Sequence, residues 1–311
     1  MSVQIYNVCL KANRKLAILR RVKLLKRHTL DVLYKITVRS VIDYALPVYY
    51  HSLKITEKAL LDKVQYTAGK LVTGALHYTS SLKLNEELGW ESIKNQADVL
   101  GYSIFHKINR RETRPLIQTC LQPNVVCPQT LRFQGFIPFK YFNAKFSNSF
   151  FPYFTSKYNK LNKKVKSLNT DDFKLHIGKD LRPTKYKHFS RGYKYSNMLL
   201  SRIRLGRSYL NSHSYSIGLS DTNTCSCNNK VLESPIHYIT QCPKFSEIRL
   251  TLYNEMEQQF IPNFKKLSLK RQYDILIYGY EPDNLEIIGI NSKITKLTQT
   301  FILKSKRFDN T

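Results

Sequence analysis

The sequence predicts a mainly α protein: a helical bundle, an irregular or short-strand connector, and a C-terminal helical region around a small cysteine–histidine module. Three observations predict it. Apolar residues recur at helical spacing in four runs across the first 110 positions, prolines and short aromatic runs interrupt that period from 114 to 168, and the helical period returns near 195 and 243. The length suits this division, since 311 residues correspond to about two domains at roughly 150 residues each. With 42% apolar and 12% aromatic residues the chain can bury a core, which excludes a wholly unstructured protein.

Leu16, Leu19, Val22 and Leu25 share one face of a helix expected over 11–27, with Arg and Lys on the other, and Leu30, Leu33, Ile36 and Val41 continue over 30–44. From Glu57 to Thr73, Leu60, Val64, Ala68, Leu71 and Val72 form one stripe, and Gly74 is placed to end it. A fourth helix is expected from Ile93 to Ile108 through Val99, Leu100 and Ile104, so residues 1–110 form an all-helical domain. Pro115, Pro123, Pro128, Pro138 and Pro152 then recur among short aromatic runs, which marks 111–169 as the connector. In the remaining region, 170–311, Thr170 can cap a helix whose first turn carries Asp171 and Asp172. Further helices are expected over Tyr195–Leu210 and over Pro243–Gln259, where Phe245, Ile248, Leu252 and Met256 align.

Charge narrows the function. Fifty Lys+Arg against 22 Asp+Glu give +28, an excess that self-repels unless a polyanion neutralises it. It is concentrated: residues 1–220 carry 38 basic and 12 acidic side chains, and 221–311 carry 12 and 10. The first 30 residues hold eight Lys/Arg and no acid, and 113–170 hold nine and no acid. Solvated faces normally mix both signs, so these stretches fit a surface shaped for phosphates. Lysine inherited from an AT-rich coding sequence is the alternative, and local exclusion of acids favours the phosphate reading. Between 133 and 161, Phe and Tyr interleave with Lys140, Lys145, Lys157 and Lys160, a mix suited to stacking bases, although any single ring is favoured as core by the area it buries.

Half of the six cysteines fall together: Cys225, Cys227 and Cys242, with His237 between them, in the pattern C-x-C-x9-H-x4-C. Three thiolates and an imidazole are what a closed tetrahedral structural zinc site requires. Asn228, Asn229 and Lys230 can turn the chain, and Pro243 suits the first position of a helix opened by Cys242. Surface thiols beside an ordinary half-buried imidazole are the competing account. Cys9, Cys120 and Cys127 have no His at ligand spacing and are expected to be core or free thiols. Cysteines so arranged make no secreted disulfide framework, and no apolar run approaches the roughly 18 residues of a membrane span. A nuclear or cytoplasmic, reducing compartment is expected, with no membrane partner.

Enzyme motifs are missing: there is no Gly-rich phosphate loop, G-x-S-x-G elbow or H-E-x-x-H helix. Asp171–Asp172 is the one Asp-Asp pair, and it sits in NTDDFK without strand residues before it. Helix capping explains it better than two-metal catalysis.

Longer patterns add to this. Residues 11–52 carry Leu19, Arg20, Leu33, Tyr34, Tyr44, Ala45 and Val48 in sequence, followed by Gln65, Ala68, Thr73, Gly74, Thr79, Ser80, Leu88, Gly89 and Ile93. Tyr158, Asn159, Leu161 and Asn162 come next, then Arg204, Gly206, Leu210, His237, Cys242, Pro243 and Arg249, and finally FILKSKRF at 301–308. Together these segments, nearly the whole chain, resemble the C-terminal part of the polyprotein of jockey-like non-LTR retrotransposons, downstream of the reverse transcriptase palm. Two departures stand out: Tyr49 or Tyr50 stands where the family often has Trp, and a Trp-Asn-Leu-Pro segment is altered near Tyr158.

The resemblance implies a thumb-like helical domain at 1–110 and a zinc-binding module at 225–242 with Cys225, Cys227, His237 and Cys242 as ligands of Zn2+. It implies RNA and DNA as partners, including an RNA/DNA duplex and target DNA. Arg14, Lys15, Arg20, Arg21, Lys23 and Lys26 would track the duplex phosphates, and Arg202, Arg204 and Arg207 would hold template RNA or target DNA. The family's polymerase aspartates lie in an upstream palm, which would be a partner domain were the product longer. Their absence from these residues leads us to expect no polymerase activity from this chain alone. A domesticated protein-interaction role and a decayed element without a selected role are the alternatives.

Overall fold

A computed structural model describes residues 2–113, 136, 138–140, 143–181, 187–281 and 287–309, and these are mainly helical, with an antiparallel bridge between Thr224 and Leu232. The mainly α expectation holds. Helix α1 (Ser2–Arg21) starts and stops earlier than the 11–27 expected, and residues 22–26 turn the chain into α2 (Arg27–Leu33). A π-helical stretch, Tyr34–Arg39, leads to α3 (Ser40–Asp43) and then α4 (Leu46–Tyr49). Next comes α5 (Ile55–Thr73), which ends at Gly74 with φ +68°; a Cβ there would lie 2.5 Å from Met198 Cγ. Helix α6 (Ser81–Leu88) has no counterpart in the sequence expectation, whereas α7 (Ile93–Asn109) does, and Ser92 caps it by accepting the Asn95 N–H.

The connector needs correction. In its described part the chain is helical rather than irregular or stranded: α8 (Ala144–Ser147), α9 (Phe150–Asn159) and α10 (Lys163–Lys166). Pro152 is compatible with α9 because it stands in the first turn, where a backbone N–H has no intrahelical acceptor. Pro115, Pro123, Pro128, Cys120 and Cys127 lie outside the described residues. Helix α11 (Thr170–Leu181) is capped one residue before the expected Thr170: Asn169 Oδ1 accepts the Asp172 N–H at 2.8 Å, and Asn169 Nδ2 returns a bond to Asp172 Oδ2 at 2.7 Å. Helix α12 (Lys194–Arg204) stops short of Leu210, and the short α13 (Asn211–Ser216) follows. A 3-10 turn, Pro243–Phe245, opens α14 (Ser246–Gln259); α15 (Leu269–Tyr278) and α16 (Ile288–Lys304) complete the chain.

Contacts divide the chain into two compact units, residues 1–17, 35–65 and 91–183, and residues 18–34, 66–90 and 184–311. The first unit buries aliphatic residues such as Leu16, Ile42, Leu46 and Ile93 and one aromatic cluster, built from Phe105, Phe136, Phe154, Tyr158 and Phe173 with Ile108. Most rings in the stretch read as suited to base stacking are therefore packing groups, and Phe154 is fully buried. Cys9 is a buried thiol, as expected.

The second unit is richer in aliphatic residues: Leu200, Leu210, Ile239, Met256, Ile275, Ile294 and Ile302 surround Tyr238 and Phe301. It also buries charge. Glu87 accepts from Arg27 Nη1 at 2.7 Å, from Arg204 Nε and Nη2 at 2.8 and 2.7 Å, and from Ser201 Oγ at 2.8 Å. Burial alone would raise the Glu87 carboxyl pKa, but the two guanidiniums outweigh it and hold the group below its usual range.

Candidate metal centre

Two local structures bring the predicted ligands together. In the first, the Cys225 N–H donates to Val231 O at 2.7 Å beside the Thr224–Leu232 bridge, closing a tight loop. Asn229 adopts φ +56° and Asn228 Oδ1 accepts the N–H groups of Lys230 and Val231, both at 3.1 Å, so the expected turn residues make the turn. In the second, a π-helical turn spans His237–Gln241 and closes with the Cys242 N–H on His237 O at 2.8 Å, which sets His237 and Cys242 on one side. Pro243 takes the first position of the following turn, as expected.

The ligand atoms of Cys225, Cys227, His237 and Cys242 all lie within 4.8 Å of one another. Cys225 Sγ is 3.6 Å from Cys242 Sγ, and Cys227 Sγ is 3.5 Å from His237 Nε2. Cys225 and Cys242 are 2% and 0% exposed, His237 is buried, and Cys227 is half-buried. Burial pushes the Cys225 thiol up to about 12, and neighbouring Cys242 adds to the shift. Burial also lowers the His237 imidazole below its ordinary range, which leaves it neutral with a lone pair to offer. Three converging sulfurs and a neutral imidazole are a donor set that a positive ion stabilises and that little else on the protein satisfies; the cluster could hold a metal ion.

A polar frame holds both halves. Arg249 Nε donates to Ile239 O at 2.9 Å and its Nη2 to Cys242 O, tying α14 to the π turn. Arg307 donates from Nε and Nη2 to the two Glu233 carboxylate oxygens, each at 2.7 Å, while the Asn211 N–H reaches Glu233 Oε2 and Asn211 Nδ2 reaches Thr224 O at 2.8 Å. Tyr238 Oη bonds Ser305 Oγ at 2.6 Å, and its ring packs against Phe301 and Phe308. The 301–308 tail thus belongs to the frame of the metal centre. Asn211, Glu233 and Arg307 were not singled out from the sequence; their partners lie as far as 98 residues apart, and spacing carries no sign of such pairings.

The predicted phosphate contacts divide. Arg14, Lys15, Arg20, Arg21, Lys23 and Lys26 are all exposed, and among the described residues none of them makes an ion pair. Arg204 is different: it is 8% exposed, bonded to Glu87 and stacked 4.0 Å over Phe189, so it is a packing residue rather than a phosphate contact. Arg202 is half-buried, donating to Gly74 O at 2.9 Å over the Tyr209 ring, and Arg207 is half-buried beside His213. Among the described residues no helix is long and apolar enough to cross a membrane. No known protein family, curated protein or solved structure matches this chain.

Proposed function

We propose that this protein is a non-catalytic nucleic-acid-binding chain, equivalent to the C-terminal part of a non-LTR retrotransposon reverse transcriptase, which grips template RNA or target DNA through basic helices and is braced by structural zinc. The observation that carries it is the set of six exposed cations from Arg14 to Lys26 within an acid-free stretch of 30 residues. Such a surface is neutralised by phosphates, and the released counterions drive binding.

Zinc fits the donor set. Zn–S bonds of about 2.3 Å and Zn–N bonds of about 2.0–2.1 Å set tetrahedral S···S and S···N separations of about 3.8 and 3.5 Å; Cys225–Cys242 at 3.6 Å and Cys227–His237 at 3.5 Å come near these, within a set whose ligand atoms lie within 4.8 Å of one another. With Cys225, Cys227, His237 and Cys242 as ligands, all four positions are filled, which suits a structural ion. Asp171 and Asp172 belong to a helix cap, which supports a non-catalytic role for this pair.

Affinity for labelled RNA/DNA duplex and for single strands, measured between about 50 and 200 mM salt, tests the reading. A steep fall with salt and no primer extension by the chain are expected. Salt-independent binding contradicts phosphate contact, and primer extension contradicts the non-catalytic assignment. A protein-interaction role is favoured by one observation, the exposed apolar residues Val3, Tyr6 and Ile18 of α1, at 74%, 62% and 61%. Salt-insensitive capture of a protein without nucleic acid would support that second role.

A further inference from the structure

The loop before α12 combines a rigid base with a bare top. From beneath, Arg191 O accepts Asn197 Nδ2 at 2.6 Å and Gln299 Nε2 at 2.8 Å, and both amides are buried, at 2% and 3% exposure. Gly192 has φ +95°, and a Cβ there would fall 1.8 Å from Gln299 Oε1, so the loop requires glycine at that position. Buried amides therefore fix the backbone of a segment whose own side chains stay in water. Arg191 is exposed and Tyr193 is 77% exposed, so a large ring is held out on a stiff support.

A second basic segment lies against this loop in the same unit. Arg27 Nη1 donates to Phe189 O at 3.2 Å and to Asn197 Oδ1 at 3.3 Å, which ties the residue that follows the 22–26 turn to the base of this loop. The Lys194 ammonium is lowered below its ordinary range by burial and then by the charge of Lys23. Neither segment supplies a carboxylate: acids are absent from 1–30 and from 181–220. Among the described residues Arg191, Lys194, Lys23 and Lys26 make no ion pair, and unpaired cations on two segments tied to the base of an exposed ring match what an unpaired strand offers, phosphates beside a free base face. A duplex offers the phosphates but keeps its base faces stacked.

We infer that Arg191, Tyr193 and Lys194, together with Lys23 and Lys26, form a seat for single-stranded nucleic acid in which Tyr193 stacks on a base and the cations hold the flanking phosphates. This rests on the nucleic-acid reading above and adds to it the strand type and the stacking residue. It also moves the second basic arm from Arg204, which is buried, to the 191–194 loop.

The test uses the full chain in zinc-containing buffer with fluorescein-labelled single-stranded RNA, single-stranded DNA, an abasic strand of equal length, and a duplex. Tyr193→Ala weakens binding to the preferred single strand by about 5- to 150-fold, the range of one base–aromatic stack. Tyr193→Phe retains binding, and the loss vanishes on the abasic strand. The double variant Lys23→Ala/Lys194→Ala lowers the salt dependence on every strand. The RNA and DNA arms show which sugar is preferred. Salt-dependent wild-type binding that Tyr193→Ala leaves unchanged overturns the seat but not the wider reading, whereas wild-type chain that binds no strand overturns both.

Discussion

Two buried histidines, one in each unit, show how differently the two are held together. His106 stacks on Phe173 at 3.9 Å, and both its ring nitrogens have partners, Tyr158 Oη at 2.8 Å and Leu168 O at 2.9 Å. His237 instead faces Cys227 Sγ at 3.5 Å within a set of three sulfurs. Burial lowers the pKa of both rings, so neither burial nor titration separates packing from ligation. Their partners do. In the first unit the protein itself satisfies both nitrogens of His106, whereas the second unit adds a buried ion pair and a donor cluster that a cation would complete.

The proposed metal ion carries the largest expected effect. Structural zinc contributes about 10–16 kcal/mol of binding free energy in small modules, more than any one side chain here. Chelation, or His237→Ala, is expected to abolish amide protection around 224–249 and in the 301–308 tail while sparing α7, α9 and α11. Equal loss of protection in both units would break the contrast.

Single substitutions in the two cores come next. Glu87→Ala leaves Arg27 and Arg204 buried without their carboxylate and is expected to cost about 3–5 kcal/mol by urea unfolding. Phe154→Ala, its counterpart in the aromatic core, is expected to cost a similar 3–5 kcal/mol or so, by deleting a fully buried ring. A Glu87→Ala cost under about 1 kcal/mol would show that the ion pair does not hold the second unit.

pH probes the second unit through one more buried histidine. His188, 1% exposed and bonded through Nε2 to Tyr278 O at 2.7 Å, is lowered by burial to about 4. Unfolded histidine takes a proton near about 6.5, so the stability His188 confers is complete above that pH and is lost as pH falls toward 4. Its loss amounts to about 3 kcal/mol. His188→Gln, which keeps a donor without titrating, is expected to flatten that part of the stability–pH curve. An unchanged curve would place the acid sensitivity elsewhere.

The smallest effect is Gly101→Ala in α7. A Cβ at 101 would meet Phe154 Cζ at 1.9 Å, and overpacking of about 1–3 kcal/mol then outweighs the roughly 1 kcal/mol gained in helix propensity. A net loss of about 1 kcal/mol in thermal unfolding is expected. A stabilised variant would mean that the aromatic core is looser than its ring contacts indicate.

What could be read from the sequence followed from how local each feature is. The ligand set lies within 18 residues, Cys225 to Cys242, and its turn residues lie between, so spacing alone exposed it. Long periodic helices such as Ile55–Thr73 and Ile93–Asn109 were legible within two residues. The proline-bearing α9 was not, because Pro152 reads as a breaker from the sequence yet falls in the first turn, where it costs no intrahelical bond. Charge was legible only as a sum. Composition cannot separate Arg20, which is exposed, from Arg204, whose partner Glu87 is 117 residues away.

Metal stoichiometry tests the central claim most directly: the purified chain, stripped and reloaded with Co2+ as a spectroscopic stand-in for zinc, is titrated while its visible absorption is followed. One ion per chain, with the intense bands of tetrahedral thiolate coordination that disappear in Cys242→Ala, is the predicted result. A folded chain that takes up no stoichiometric metal, with all three thiols open to alkylation and its stability unchanged by chelator, would contradict it.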